Sequence, residues 1–256
     1  MIPVFSKNAC TNCRRCVRAC VAGVFVIGAD GFTTIRDVSR CIGCGHCLAV
    51  CPAKAISLDG LGADALQAVE EAFLTEGHRD MLFKARRSIR AYDGQPVERE
   101  ALERALHLAN WAPTARNYRE VGWLVVNGRE KIESLLLQAV DGLRKDERYA
   151  AYVRAQEKGR DVILRGAPCV VLAHAEPWEW AEVDCSIAMT YLELALHSMG
   201  FGTCWCGLFI RAANSGAMKS LPLPEGHKVF AGLMVGRSAL RYLRVPPRES
   251  APVSWV

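Results

Sequence analysis

The sequence CTNCRRCVRAC occupies residues 10–20, and CIGCGHCLAVCP at residues 41–52 repeats its cysteine spacing. Both stretches read C-x2-C-x2-C-x3-C, so eight of the twelve cysteines belong to one doubled pattern. A cubane iron–sulfur cluster needs four soft thiolate ligands, and three cysteines at intervals of three residues can surround it from one short loop. The pattern therefore predicts that the N-terminal part folds around two [4Fe–4S] clusters.

The last cysteine of each run is predicted to bind the cluster of the other run, as in the bacterial-type ferredoxins that share this spacing. The exchange ties the two halves together, so that a small module can fold around metal rather than around an apolar core. Zinc ribbons use pairs of C-x2-C, and disulfides would suit a secreted chain, which this sequence does not resemble. The predicted ligand sets are Cys10, Cys13, Cys16 and Cys51 for one cluster, and Cys41, Cys44, Cys47 and Cys20 for the other.

Composition indicates an intracellular globular protein. The chain has 256 residues, 51% of them hydrophobic, which is enough for one or two domains with a sizeable core. No apolar run reaches the ~18 residues of a membrane span, and residues 1–8 lack the features of a signal peptide. Because iron–sulfur clusters are normally loaded inside the cell, we expect a cytoplasmic protein. The net charge of +5 is spread along the chain and does not favour nucleic-acid binding.

Three arginines lie inside the first cysteine run, at Arg14, Arg15 and Arg18. A basic cluster of this kind is most often a solvated surface, and we favour that interpretation. The alternative is a docking patch for an acidic electron donor, such as a free ferredoxin or flavodoxin. The sequence leaves both interpretations open.

We expect three segments along the chain: a two-cluster module at residues 1–60, a linker helix at 61–80 and a second domain at 81–256. Within the module, VFVI and FTTI flank GADG at residues 24–35, which is typical of a β-hairpin. Residues 55–58 suit a further short strand. The linker helix rests on the helical spacing of Leu66, Val69, Ala72 and Phe73.

In the second domain, apolar runs predict three buried strands, and helical spacing from Leu102 to Ala109 predicts a helix. The charged segment 146–165 is predicted to be helical, as a cover over a site. The strands are GWLVVN at 122–127, CVVLAHA at 169–175 and KVFAGLMVG at 228–236.

A further helix is predicted from Asp184, its N-cap, to Gly200, its C′ residue. Its few polar residues form one narrow stripe, so this helix is expected to be buried on most sides, inside a domain or in a subunit interface. We interpret His197 as a structural hydrogen-bonding group rather than a catalytic one. The stripe consists of Ser186, Thr190, Glu193 and His197.

The run RRSIR at residues 86–90 can clamp a phosphate and leave one arginine for a ring system. By itself this run is weak evidence for a phosphate site, because basic runs usually lie on a solvated surface. Three segments follow it in order: APTARN at 112–117, GFGTCWCG at 200–207 and RVPPR at 244–248. In sequence and spacing, this set resembles the nitroreductase family of FMN enzymes. With the N-terminal cysteines, the whole chain resembles the ferredoxin-fused nitroreductases.

The resemblance implies an α+β fold: a small two-[4Fe–4S] ferredoxin-like module, followed by an FMN domain with a central, mostly antiparallel sheet flanked by helices. It also implies an obligate homodimer with FMN at the interface. A cation near the pyrimidine end of the flavin would stabilise the negative charge of the reduced ring.

The implied FMN contacts run from the phosphate to the ring. They are Arg86, Arg87 and Ser88 at the phosphate, joined by Arg248 or Arg244; Arg90 near the pyrimidine end; Asn117 at the same ring edge with Thr114 beside it; and Gly207, with Cys206, at flavin N5.

Two features leave details open. Arg119 and Glu120 stand where the family often has Gln-Pro, which affects the contacts that set substrate preference. Cys204 and Cys206 could form a redox-active pair beside the flavin, but we favour two small buried side chains.

The sequence therefore predicts an FMN-dependent oxidoreductase that passes single electrons from its clusters to FMN, for two-electron reduction of a nitroaromatic, quinone or activated alkene. A free ferredoxin or flavodoxin is the expected donor, with NAD(P)H as an alternative. Two other functions stay open: a non-catalytic electron-transfer adaptor, and a flavin reductase or dehalogenase for one metabolite. No catalytic side chain is identified.

Overall fold

The computed structural model describes residues 2–69 and 74–256. Contacts divide the chain into an N-terminal unit, Met1–Phe73 with Ala115–Tyr118, and a C-terminal unit, Leu74–Thr114 with Arg119–Val256. The division after residue 73 falls inside the expected linker, whereas the grouping of Ala115–Tyr118 with the N-terminal unit is not visible in the sequence. Within the described ranges, no helix is both long and apolar enough to span a membrane.

Short strands and helices build the N-terminal unit. The predicted hairpin is confirmed as β2 paired with β3, and the strand predicted at residues 55–58 is confirmed as β4, which pairs antiparallel with an unpredicted strand, β1. In chain order the elements are β1 (Pro3–Phe5), α1 (Arg15–Ala19), β2 (Phe25–Ile27), β3 (Thr33–Ile35), α2 (His46–Ala49) and β4 (Ile56–Leu58).

A small apolar core lies inside the N-terminal unit. A module of this size buries too little apolar surface to be stable by itself, so cluster binding is expected to contribute to its folding. Two cysteines of the doubled pattern are part of this core. Its buried members are Cys16, Val24, Phe25, Cys47, Leu48, Ile56 and Leu58.

The C-terminal unit contains a four-stranded sheet in the order β5-β6-β8-β7, in which every neighbouring pair is antiparallel. The three predicted strands are confirmed with the same bounds, but the expected burial is wrong for residues 122–127, which lie at the edge of the sheet with only Val126 buried. The elements are α3 (Glu76–Lys84), α4 (Arg99–Ala109), β5 (Gly122–Asn127), α5 (Arg129–Leu143), α6 (Ala150–Glu157), β6 (Cys169–Ala175), α7 (Ala181–Ser198), β7 (Gly202–Trp205), α8 (Gly207–Ala213) and β8 (Lys228–Gly236).

Helices cover both faces of this sheet. Side chains alternate along a strand, so Val170 and Leu172 of β6 join the core beneath α5 and α8, whereas Val171 and Ala173 join the core beneath α4 and α7. All seven residues of β6 are buried. This two-sided covering explains why β6 reads as a continuous apolar run, and it confirms the predicted α+β layers.

The long helix α7 differs from the prediction at its start. It begins at Ala181, so Asp184 lies in the first turn, 2% exposed, and is not the N-cap. The end of the helix agrees with the prediction. Gly200 follows it with φ 84°, a conformation that glycine adopts readily. At Gly202 the reason for glycine is space, because a Cβ would lie 2.6 Å from Cγ1 of Ile89.

Two predicted helices need correction. Residues 66–69 are not helical, Ala72 and Phe73 lie outside the described residues, and the helix of this region is α3, capped by Thr75. In the segment 146–165, only α6 and a short turn before it are helical. Asp161 accepts hydrogen bonds from the backbone of Ile163, Leu164 and Gly166, which competes with helix formation.

A histidine pair makes the stability of the C-terminal unit depend on pH. His174, at the end of β6, is 7% exposed, and its Nδ1 lies 2.9 Å from Nδ1 of His227, so only one of these nitrogens can carry a proton in the hydrogen bond. Burial, followed by repulsion from His227, lowers the pKa of His174. Below about pH 6.5 the unfolded state therefore binds protons first, and the free energy of unfolding falls as the pH falls.

We expect urea unfolding to be easier at pH 5.5 than at pH 7.5. Because all six tryptophans lie between residues 111 and 255, their fluorescence reports the C-terminal unit. Replacing His174 by Gln should reduce this pH dependence. His107→Gln, at an exposed position of α4, should leave it unchanged. If the unaltered protein and both variants show the same pH dependence of unfolding, His174 is not its source.

Candidate functional site

The second cysteine run of the N-terminal unit surrounds a cavity together with the last cysteine of the first run. The cavity encloses about 370 Å³ of empty space, including its opening. Apolar side chains such as Val24 and Phe25 form part of its wall, which limits access of water to the sulfur atoms. The four cysteines that line it are Cys20, Cys41, Cys44 and Cys47.

Three of the remaining cysteines form a second group. The thiol of Cys16 interacts electrostatically with those of Cys51 and Cys10, and Cys13, in the same run, is exposed. Cys51 thus comes together with the first run and Cys20 with the second. This is the arrangement that the exchanged ligand sets require.

Backbone amides donate to the sulfur atoms in a repeated pattern. The first cysteine of each run accepts from the residue two positions later, and the last cysteine accepts from the residue four positions later. Such N–H···S bonds stabilise negative charge on sulfur and help to set the reduction potential of a cluster. The bonds join Asn12 N to Cys10 Sγ at 3.2 Å, Val24 N to Cys20 Sγ at 3.3 Å, Gly43 N to Cys41 Sγ at 3.4 Å and Ala55 N to Cys51 Sγ at 3.3 Å.

Burial determines the protonation of two of these thiols. Burial raises the pKa of Cys16, and it raises the pKa of Cys47 to about 11. Without metal these thiols stay protonated at neutral pH, and thiolates are favoured only when a cation coordinates them. Within residues 2–69 and 74–256, no three His, Cys, Asp or Glu side chains are arranged around a single metal ion.

The C-terminal unit has a cleft beside the arginine run. It encloses about 660 Å³ of empty space, including its open mouth. A backbone hydrogen bond from Ile89 N to the Thr203 carbonyl, 2.8 Å, tethers the run to β7. This tether places cationic side chains next to the end of α7. The polar residues that line the cleft are Arg86, Arg87, His197, Thr203, Ser238 and Tyr242.

The guanidinium of Arg87 is only partly satisfied. Its Nη2 donates to the Lys84 carbonyl, but its Nε is buried and has no hydrogen-bond partner among the described residues. An unsatisfied buried donor on a cation is costly, and an anionic ligand would relieve that cost. The cleft therefore fits a phosphate-bearing group such as the one that the resemblance implies.

A buried carboxylate orients the other arginine. Glu193 on α7, 6% exposed, accepts from Arg86 Nη1 at 3.2 Å and from Thr203 Oγ1 at 3.0 Å through the same oxygen, Oε1. His197 lies one turn further along α7, hydrogen bonded to the backbone of Met81, and burial lowers its pKa. Helix α7 thus restricts the orientation of the Arg86 side chain through Glu193.

We expect Glu193→Gln to lower the free energy of unfolding of the C-terminal unit by about 1–3 kcal/mol, because it weakens charged hydrogen bonds in a buried place. Tryptophan fluorescence in urea measures this change. Glu103→Gln is the matched control, since its ion pair with Arg99 is exposed, and exposed pairs contribute roughly 0–1 kcal/mol. Equal effects of the two substitutions would contradict the role of Glu193.

Comparison with known proteins decides the family. A model described as "Nitroreductase family" matches residues 83–237, more than half of the chain, and one described as "4Fe-4S dicluster domain" matches residues 9–56. The chain belongs to the nitroreductase family. It is an FMN-dependent oxidoreductase that carries a ferredoxin-type 4Fe–4S domain at its N-terminal end.

Solved structures agree with this assignment. A nitroreductase with bound FMN from Bacteroides fragilis is 27% identical and has a TM-score of 0.60. The similarity covers 68% of this chain and 96% of that one. A nitroreductase with bound FMN from Desulfitobacterium hafniense is 25% identical, with a TM-score of 0.59 and the same coverage. A Cr(VI) reductase of a Pseudomonas strain is 27% identical over 65% of this chain and 69% of its own length.

Three further residues that the resemblance implies as FMN contacts lie in the C-terminal unit. Ser88 forms a parallel bridge with Thr203, at the edge of the cleft. Arg90 is exposed and donates to the Ser88 carbonyl at 3.3 Å. Gly207 begins α8 and is exposed, and a Cβ built there would meet open space.

The loop after α4 has a strained backbone. Arg116, Asn117 and Arg119 have φ of 52°, 57° and 54°, which is uncommon for residues other than glycine. Thr114 Oγ1 accepts from Arg119 N at 3.0 Å and so holds the loop closed. Asn117 belongs to the N-terminal unit, where its Nδ2 donates to the Ile42 carbonyl at 3.0 Å.

Cys204 and Cys206 have the surroundings of packed side chains. Both are nearly inaccessible, and burial raises the pKa of Cys206. A Cβ at Gly232 would lie 2.9 Å from Cys206 Sγ, so this sulfur fills space against β8. These observations agree with the interpretation of buried, unreactive thiols.

At the C-terminal end, Arg244 and Arg248 are exposed, outside regular structure and outside the lining of the described cleft. Sequence reasoning missed Ser238 and Tyr242, which lie at the cleft, and it missed the function of Glu193. The signal for Glu193 was present, since a carboxylate on a mostly apolar helix needs a buried partner.

Proposed function

We propose that this nitroreductase takes electrons singly from two [4Fe–4S] clusters and uses FMN for two-electron reduction of a small organic acceptor. The flavin, when bound, supplies the conversion from one-electron to two-electron chemistry. Nitroaromatics, quinones and activated alkenes are the proposed acceptors. The observation that carries the proposal is a four-cysteine cavity and an arginine-lined cleft in one chain.

For the clusters, the two exchanged cysteine sets supply all eight ligands. The N–H···S bonds at Cys10, Cys20, Cys41 and Cys51 offset thiolate charge in both sets. The matching pattern supports a count of two clusters, because each set has equivalent support. Apolar walls around the second set would keep water from the sulfur atoms and lower the local dielectric.

For FMN, Arg86 and Arg87 would hold the phosphate, with Ser88 beside them and Arg248 or Arg244 as further cations. Glu193 keeps Arg86 oriented before the ligand arrives, which reduces the entropy cost of binding. The other proposed contacts, at the ring, are Arg90, Thr114, Asn117, Cys206 and Gly207.

We propose a homodimer with FMN at the subunit interface and a cytoplasmic location. Large apolar side chains stay exposed on α7 and near the C-terminus, including Val183, Tyr191 and Trp255. A second copy of the chain would bury such groups. Light scattering after size-exclusion chromatography measures the subunit number.

Anaerobic stopped-flow spectroscopy tests the proposed reaction. The protein is reduced by methyl viologen radical and mixed with a nitroaromatic, a quinone, an enone or chromate, the last because of the Cr(VI) reductase relative. We expect cluster absorbance to return together with that of oxidised flavin for at least one organic acceptor. Reoxidation by none of these compounds would favour the electron-transfer adaptor, and reoxidation by chromate alone would argue against an organic acceptor.

A further inference from the structure

Two arginines of α1 border a groove in the N-terminal unit. Arg15 and Arg18 are three residues apart and therefore lie on one face of the helix. The groove encloses about 1,020 Å³ of empty space, including its wide mouth, and its other wall is formed by residues 49–52 after α2. Such an open shape suits the surface of another protein better than a small molecule.

A cluster ligand lies in the lining of this groove. Cys51 contributes to the lining, and its thiol interacts electrostatically with that of Cys16. The groove therefore leads to the cluster that the first cysteine run is proposed to hold. A redox partner bound there would come close to that cluster.

Charge selects the kind of partner. The acidic groups Asp30 and Asp64 of this unit are paired with Lys7 and Lys54, whereas Arg15 and Arg18 are exposed and form no ion pair within the part of the chain that the structure describes. Two unneutralised cations beside a groove attract an acidic surface and raise the rate of encounter with it.

We propose that this groove is the docking site of a free acidic ferredoxin, an inference that rests on the proposed function. One electron leaves the reduced ferredoxin and enters the adjacent cluster, so one protein is oxidised and the other is reduced by one electron. No bond forms or breaks and no proton moves. A flavodoxin, which also carries negative charge, is treated as a separate outcome of the test.

Charge reversal of both arginines is the test. Isothermal titration of the holoprotein with an oxidised acidic two-[4Fe–4S] ferredoxin at 50 mM salt should show a dissociation constant at least about tenfold weaker for Arg15→Glu with Arg18→Glu. The difference should shrink at 300 mM salt. Arg36→Glu is the matched control, an exposed arginine of the same unit outside the groove, and should change the constant less than about twofold.

Several results would overturn the proposal. An unchanged dissociation constant in the double variant excludes the groove as the docking site, and arginine-dependent binding of flavodoxin but not ferredoxin excludes ferredoxin as its occupant. Iron content must equal that of the unaltered protein. If charge reversal lowers it, the pair Arg15→Gln with Arg18→Gln is titrated instead, with the same expected direction.

Reduction by methyl viologen radical separates this inference from the proposed function. The double variant should accept electrons from the viologen, and pass them to an acceptor, at no less than the rate of the unaltered protein, because a small cationic reductant does not need the groove and is not repelled by glutamate. If the viologen-reduced, unaltered protein reduces no acceptor, the proposed function fails. The binding measurement still decides the docking site.

Discussion

Cys47→Ser is expected to remove one iron–sulfur cluster and to lower the iron content from about eight to about four per chain. Cys47 is buried, lines the four-cysteine cavity and belongs to the core of the N-terminal unit. Its loss removes a ligand and places a hydroxyl in an apolar site, so the unit should also melt at a lower temperature. Anaerobic iron and sulfide analysis, with absorbance near 400 nm, measures the loss.

Double variants test which cysteines share a cluster. Cys20→Ser combined with Cys47→Ser should lose no more iron than Cys47→Ser alone, because both residues lie on one cavity. Cys16→Ser combined with Cys47→Ser should lose nearly all iron. Cys169→Ala, in the sheet of the C-terminal unit, is the control and should retain it. Loss of nearly all iron in the Cys20 and Cys47 pair would contradict the exchange, because it would place these two residues on different clusters.

The second large effect is expected at Arg87. Removing its guanidinium by Arg87→Ala should weaken FMN binding about 10- to 100-fold, since a hydrogen bond to a charged group contributes roughly 1.5–3 kcal/mol. The structural reason is the buried Nε of Arg87, which has no hydrogen-bond partner among residues 2–69 and 74–256. Quenching of flavin fluorescence by the flavin-free protein measures the dissociation constant.

Arg104→Ala is the matched control for Arg87. Arg104 is exposed on α4 and is not part of the cleft lining, so its removal should leave FMN affinity within about twofold. A comparison with riboflavin, which lacks the phosphate, sharpens the test. If Arg87→Ala weakens riboflavin as much as FMN, the arginine does not act on the phosphate.

Local patterns predicted much of both units correctly. The strands at 122–127, 169–175 and 228–236 agree residue by residue, because short apolar and β-branched runs favour a strand locally. The burial of residues 122–127 was not predicted correctly, because their place at the sheet edge depends on the fold. The hairpin at 24–35 agrees because its turn residues restrict the backbone locally. By contrast, β1 and β7 have only three and four residues, too few for a periodic signal, and their pairing partners lie far away in the sequence.

The helix predicted around residues 66–73 illustrates the opposite case. Apolar spacing there is compatible with a helix, but residues 66–69 do not form one, and α3 begins at Glu76 behind the cap of Thr75. Spacing alone carries no information on whether a partner surface exists, and short isolated helices are only marginally stable.

The sequence by itself indicated the 4Fe–4S domain through the spacing of its cysteines, and it indicated the nitroreductase family through four short segments in order. Only the tertiary structure decided which arginine has an unsatisfied nitrogen, that Glu193 and Thr203 hold Arg86, and that Arg15 and Arg18 border a groove with Cys51. The reason is that coordination by a loop is a local property of the chain, whereas burial and pairing of charge depend on residues that are distant in sequence and meet only when the chain folds.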